Sequence, residues 1–68
     1  MNVFSENLKA LRKAKNIGQA ELAKNIGVSK GIISLWENGL RYPTLPSLIA
    51  LAKYFEVSID YLAGLEPY

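Results

Sequence analysis

Cysteine and histidine are both missing from this 68-residue sequence. Their absence removes disulfides, thiolate and imidazole metal sites, and the usual base that activates a catalytic nucleophile. No apolar stretch approaches the ~20 residues needed to cross a bilayer, and Met1-Asn2-Val3-Phe4-Ser5-Glu6 lacks the basic start and apolar run of a leader peptide. The chain is therefore expected to be soluble and cytoplasmic, with no membrane partner. Its six carboxylates are scattered among cap and surface positions, so no metal-ligand cluster or acid–base pair can be assembled from them. No catalytic residue, metal, cofactor or small-molecule substrate is expected. Strand-like alternation, low-complexity tracts and solenoid repeats are also lacking.

Half of the residues are apolar, enough for one packed core and one domain spanning residues 1–68. A domain of this size hides only roughly 60% of its unfolded surface, so capping or a partner subunit has to supplement the core. The net charge of +2 conceals a separation along the chain. Residues 1–41 carry seven basic groups (Lys9, Arg12, Lys13, Lys15, Lys24, Lys30, Arg41) against three acidic ones (Glu6, Glu21, Glu37). Residues 42–68 carry Lys53 against Glu56, Asp60 and Glu66. A polyanion would meet the first part.

Turn and cap residues divide the chain into five helical segments, expected at about 4–15, 19–26, 30–38, 45–55 and 59–64. Phe4, Leu8, Leu11 and Ala14 recur at helical spacing, and Asn16 tolerates the left-handed conformation that ends the first segment. The second and third segments repeat one device, in which apolar residues bracket a cap and fix the angle of helix entry. Ile17 and Leu22 bracket Gly18, a middling cap, and Val28 and Ile33 bracket Ser29. Gly27-Val28-Ser29 then joins two helices with the short turn expected of a helix-turn-helix. Asn38-Gly39 ends the third segment, and the residue before Pro43 is pushed out of helical conformation. Thr44 caps a fourth segment whose buried stripe is expected to be Leu45, Leu48, Leu51, Ala52 and Phe55. Val57, Ser58 and Leu62 repeat the staple before Gly64.

If the second and third segments cross steeply, Leu22, Ala23, Ile26, Val28, Ile33 and Trp36 face inward. Ala23 is small because a bulky side chain there would hold the two helices apart. The outer face of the third helix then presents Lys30, Gly31, Ser34, Leu35 and Asn38, with no acid among them. Such a face fits the roughly 12 Å major groove of DNA.

In Gln19-Ala20-Glu21-Leu22-Ala23, in the spacing of Ala23, Gly27 and Ile33, and in Val28-Ser29 followed by Ile33-Ser34-Leu35-Trp36-Glu37-Asn38-Gly39, the sequence resembles the lambda-repressor-like, Cro-type (Xre) helix-turn-helix regulators. Pro43, Leu48, Leu51-Ala52 and Val57-Ser58-Ile59-Asp60-Tyr61-Leu62 extend the resemblance over nearly the whole chain. It implies an all-α, compact five-helix domain of prokaryotic or phage type that binds double-stranded DNA and regulates transcription. Lys30, Gly31, Ser34 and Leu35 would fall against bases, and Gln19, Ser29, Asn38 and Arg41 against phosphates. Arg12 and Glu37 would form an ion pair tying the first helix to the end of the third. Two departures stand out: Gly31 has no side chain where a polar reader is common, and Leu35 is apolar where a polar or basic residue is common. Either direct readout is thin and DNA shape contributes more, or Gly31 lets the backbone approach the bases.

Leu40, Tyr42, Ile49, Tyr54, Ile59, Tyr61, Leu65 and Tyr68 are too many apolar side chains for so small a core. A homodimer contact built from the fourth and fifth helices and the tail, with Tyr54, Ile59, Tyr61 and Leu65 as candidates, would absorb the excess. It would also set two reading helices about one DNA turn apart over a pseudo-palindromic operator. Repression by occlusion is the expected mode, since it needs no effector domain. The alternative is a protein-interaction module, antitoxin-like or otherwise partner-binding, on the same fold.

Overall fold

The computed structural model describes residues 2–65, so Tyr68 lies outside the described residues. Five helices follow one another: α1 (Val3–Ala14), α2 (Gln19–Ile26), α3 (Lys30–Glu37), α4 (Leu45–Phe55) and α5 (Ile59–Ala63). No strand occurs among the described residues. The all-α, five-helix plan expected from the sequence is observed. Observed helix ends differ from the expected ones by a single residue: α1 runs from Val3 to Ala14, α3 stops at Glu37 and α5 at Ala63.

The shift at α1 has a local cause. Asn2 Oδ1 accepts from the Ser5 backbone N–H at 2.8 Å, and Ser5 Oγ accepts from the Asn2 N–H at 2.9 Å. This reciprocal box satisfies two donors that a helix start would otherwise leave unpaired. Ser29, Thr44 and Ser58 cap α3, α4 and α5 through their hydroxyls, whereas Gly18 offers α2 no side-chain bond. At the other ends the chain turns left-handed at Asn16, Gly27, Gly39, Glu56 and Gly64. Glu56 adopts that conformation at φ 57° without being glycine or asparagine, so the end of α4 has no marker in the sequence.

Packing follows the apolar periodicity. Phe4 and Leu8 from α1, Leu22 and Ala23 from α2, Ile33 and Trp36 from α3, Leu51, Ala52 and Phe55 from α4, and Leu62 from α5 form one buried cluster. Each fully buried leucine or isoleucine contributes on the order of 1.5–3 kcal/mol. Trp36 lies inside, with its ring edge-on to Phe4 at 6.4 Å between centroids. Ile26 and Val28 are half-buried against the cluster. Two expectations need correction. Ala14 is exposed because it occupies the last residue of α1, beyond the elements that cover Phe4 and Leu8. Leu45 is 64% exposed because it is the first residue of α4, and the buried stripe begins only at half-buried Leu48.

Among the described residues no helix is long and apolar enough to cross a membrane, and no group of three or more acidic residues could hold a metal ion. The first and last helices meet: Asn7 Nδ2 donates to the Tyr61 carbonyl at 2.9 Å, and Val3 covers Gly64. Gly64 has φ 86°, and a Cβ there would sit 2.6 Å from Val3 Cγ1. Gly64→Ala is therefore expected to destabilise the fold by about 1–3 kcal/mol in urea unfolding. Val3→Ala in the same chain should relieve the clash with the Val3 Cγ atoms, recovering part of that loss and leaving the backbone part.

Candidate nucleic-acid interface

The position of α3 is decided by one buried carboxylate. Glu37, at the last turn of α3, is 1% exposed. Arg12, two residues before the end of α1, reaches it in a bidentate pair, with Nε donating to Oε2 at 2.6 Å and Nη2 donating to Oε1 at 3.0 Å. Gln19 Nε2 adds a third donor to Oε1 at 3.1 Å. The remaining guanidinium nitrogen, Nη1, donates to the Ile17 carbonyl at 2.9 Å, which holds the turn between α1 and α2. The hydrogen bonds and charge of Glu37 outweigh desolvation and hold the Arg12 guanidinium above its ordinary pKa. A planar fork suits this role, because a lysine could not supply parallel donors to both oxygens and a carbonyl at once.

Between α2 and α3, Gly27 takes φ 80° and donates its N–H to the Ala23 carbonyl at 2.9 Å, and Val28 N–H donates to the same carbonyl at 3.0 Å. The chain thus leaves α2 sharply, and Ser29 restarts the helix by accepting from the Ile32 N–H at 3.2 Å. Ala23, 3% exposed, lies at the α2–α3 contact. With Ile33, Trp36 and Glu37 buried, α3 is fixed on its inner face and open on the other.

That outer face carries the candidate base-contacting residues. Lys30 and Gly31 are exposed, and Ser34 and Leu35 are half-buried. Among the described residues one salt bridge forms, Arg12–Glu37, so Lys30 and exposed Arg41 enter none. Glu37 is the only acid between Ser29 and Arg41 and its charge is consumed inside, which leaves the face with positive charge alone. The four phosphate candidates differ in what they already bind. Ser29 accepts at its cap and keeps its hydroxyl proton. Gln19 spends one of its two amide N–H donors on Glu37. Asn38 turns its amide back onto α3, donating to the Ser34 carbonyl at 2.9 Å and to Ser34 Oγ at 3.3 Å. Ser34 accepts there and retains its own donor.

The four dimer candidates also divide. Tyr54 is half-buried, its hydroxyl accepting from Asn25 Nδ2 at 3.1 Å and its ring edge-on to Phe55 at 5.0 Å. Lys15 Nζ lies 5.1 Å from the same ring, a cation–π contact. Ile59 packs against the core and Tyr61 is half-buried, while Leu65 is 77% exposed. Leu40, Tyr42 and Leu45, none of them among the four candidates, are also strongly exposed. An open apolar groove of about 360 Å³ runs between Val3, Phe4, Tyr42, Pro43, Leu48 and Ala63. Sequence reasoning did not find the Gln19–Glu37 and Arg12–Ile17 bonds. An amide or a backbone carbonyl gives no signal of its distant partner.

Residues 8–62 match the family model described as helix-turn-helix. The chain is 46% identical over 63 residues to the HTH-type transcriptional activator BcrR of Enterococcus faecalis, covering 93% of this chain and 31% of that protein. It is 42% identical over 60 residues to Repressor protein C2 of Salmonella phage P22, covering 88% of this chain and 28% of that one. The P22 c2 repressor, solved in complex with synthetic operator 9T, superposes with a TM-score of 0.90 at 38% identity, over 97% of this chain and all of that one. The chain spans between about a third and just over half of the length of the curated relatives it matches first.

Removing Arg12 would strand the Glu37 charge among apolar neighbours. Arg12→Ala is expected to cost about 3–5 kcal/mol in urea unfolding. The double variant Arg12→Met/Glu37→Leu, which removes both charges, should be less destabilised than the single one. An equal or greater loss in the double variant would contradict the assignment of the pair as a compensated buried charge.

Proposed function

Because the chain belongs to the lambda-repressor-like (Xre-type) helix-turn-helix family of DNA-binding transcriptional regulators, not enzymes, we propose that it is a cytoplasmic repressor that inserts α3 into the major groove of an operator. The supporting observation is the two-faced α3: Ile33, Trp36 and Glu37 buried on one side, and Lys30, Gly31, Ser34 and Leu35 on the other with no carboxylate among them. Lys30 donates to guanine O6 or N7 in this reading, and Ser34 bonds either kind of base edge. Gln19, Ser29, Asn38 and Arg41 hold phosphates and set the register. Gln19 carries a particular advantage, since its amide is oriented by Glu37 while its second N–H points away from that bond. The relative solved with a synthetic operator is itself a repressor, and occlusion of a promoter requires binding alone.

The functional unit in this reading is a homodimer on a pseudo-palindromic site. Leu65 and Tyr61 remain candidates for the contact, while the Asn25 hydrogen bond of Tyr54 and the core packing of Ile59 make those two supports beneath it. Leu45 and Ile49, exposed on α4, extend the candidate surface. The exposure of Leu40 (73%) and Tyr42 (67%) favours the second reading, a surface for a foreign protein.

Titration with DNA selected from random fragments distinguishes the two. The expected result is affinity that falls steeply with salt, together with protection of a short two-fold-related site. Lys30→Ala should lose about 1–3 kcal/mol at the selected site and relax base preference, whereas Arg41→Ala should weaken all sequences alike and flatten the salt slope by about one. Sedimentation at tens of micromolar should show dimer with operator DNA present. Monomer under every condition would end the dimer reading, and DNA binding indifferent to sequence would end the operator reading.

A further inference from the structure

Asn38-Gly39 is the one place in the sequence where asparagine precedes glycine. The other four asparagines, Asn2, Asn7, Asn16 and Asn25, precede Val3, Leu8, Ile17 and Ile26. An asparagine amide is open to attack by the backbone nitrogen of the next residue, which closes a five-membered imide. A bulky side chain on that residue crowds the closure, and glycine leaves it free. Asn38 is also exposed, at the C-cap of α3.

The native turn holds both reacting groups. Asn38 Nδ2 donates to the Ser34 carbonyl at 2.9 Å and to Ser34 Oγ at 3.3 Å. The Gly39 N–H donates to the Trp36 carbonyl at 3.2 Å. Ring closure requires the Asn38 amide to leave Ser34 and the Gly39 nitrogen to give up its proton. These bonds belong to the last turn of a helix, and such ends open at far lower cost than the whole fold.

We propose that Asn38-Gly39 is a self-modification site, gated by the Ser34 and Trp36 bonds, that turns the neutral end of α3 into a negatively charged one and thereby ends operator binding. The switch rests on the proposal that α3 enters the major groove of an operator. The bond from the Gly39 nitrogen to Asn38 Cγ forms, the Cγ–Nδ2 bond breaks, and Nδ2 leaves as ammonia with the proton that Gly39 gave up. Water then opens the imide. Addition at Cγ restores the peptide bond and yields aspartate; addition at the Asn38 backbone carbonyl leaves Gly39 joined through Cγ and yields isoaspartate. Neither product has an amide donor, so the new carboxylate quits the Ser34 carbonyl for solvent on the side that carries Lys30 and Arg41. A negative charge there opposes both the helix dipole and a phosphate backbone. Isoaspartate also lengthens the backbone by one methylene where the Leu40 N–H meets the Leu35 carbonyl at 3.0 Å.

The test holds the purified chain at body temperature and mildly alkaline pH, and follows each asparagine by peptide mapping. Conversion is expected at Asn38 as a mixture of aspartate and isoaspartate, with Asn2, Asn7, Asn16 and Asn25 intact. It should run faster at higher pH, since the attacking nitrogen must be deprotonated, and faster again in unfolding urea, where the gate is gone. Asn38→Asp should bind the selected duplex roughly 3- to 10-fold more weakly than Asn38→Ala, the effect of one charge near phosphates, and the gap should narrow as salt rises. Thermal melts of the two variants separate lost binding from lost fold. An intact Asn38 in native buffer after the urea sample has converted, equal conversion at the other asparagines, or equal rates with and without urea would overturn the gated site. Equal binding by Asn38→Asp and Asn38→Ala at low salt would overturn the switch. Absence of sequence preference in the wild type would overturn the operator reading and the switch with it, while the mapping would still decide the chemistry.

Discussion

Glu37 is a formal negative charge enclosed in a chain of 68 residues, and the orientation of the rest follows from how it is neutralised. Three donors from two other elements converge on its carboxylate, and the same arginine fixes the preceding turn through Ile17. A charge buried without partners would cost several kcal/mol, so arrangements of α3 that separate Glu37 from Arg12 are disfavoured strongly. Hydrophobic contact alone gives no such selectivity, since leucine tolerates many neighbours. The ion pair sets the angle of α3, and the core supplies the stability.

The chemistry of the outer face depends on that interior compensation. Were Glu37 exposed, its charge would stand within one turn of Ser34 and repel a phosphate backbone. Buried and paired, it leaves Lys30 and Arg41 as the charges that a polyanion meets. The acidic residues of α5 and the end of α4, Asp60 and Glu56, lie in the later part of the chain, so the molecule is electrically polarised along its sequence.

Economy of size explains other features. Ten apolar residues form the buried cluster, and hydroxyl or amide caps on four helix starts complement it by satisfying donors that water would otherwise have to reach. The apolar side chains left over, Leu40, Tyr42, Leu45 and Leu65, fall on loops and helix ends where no further layer exists to cover them. Gly31 departs from this economy, since the fold has room for a side chain there and does without one.

Helix number, the short α2–α3 turn, the caps at Ser29, Thr44 and Ser58, and the inward direction of Trp36 and Ile33 were all legible in the residues. Each is a local matter, in which periodicity and cap chemistry act over three or four positions. The family resemblance also marked Arg12 and Glu37 as a pair, and the two side chains meet. Tertiary structure alone decided that Leu45 is exposed, that Tyr54 binds Asn25, that Gln19 shares the Glu37 carboxylate and that Glu56 turns left-handed. These depend on which elements meet in space. Asn25 and Tyr54 stand 29 positions apart, and a single sequence records the chemistry of each partner but not the distance between them.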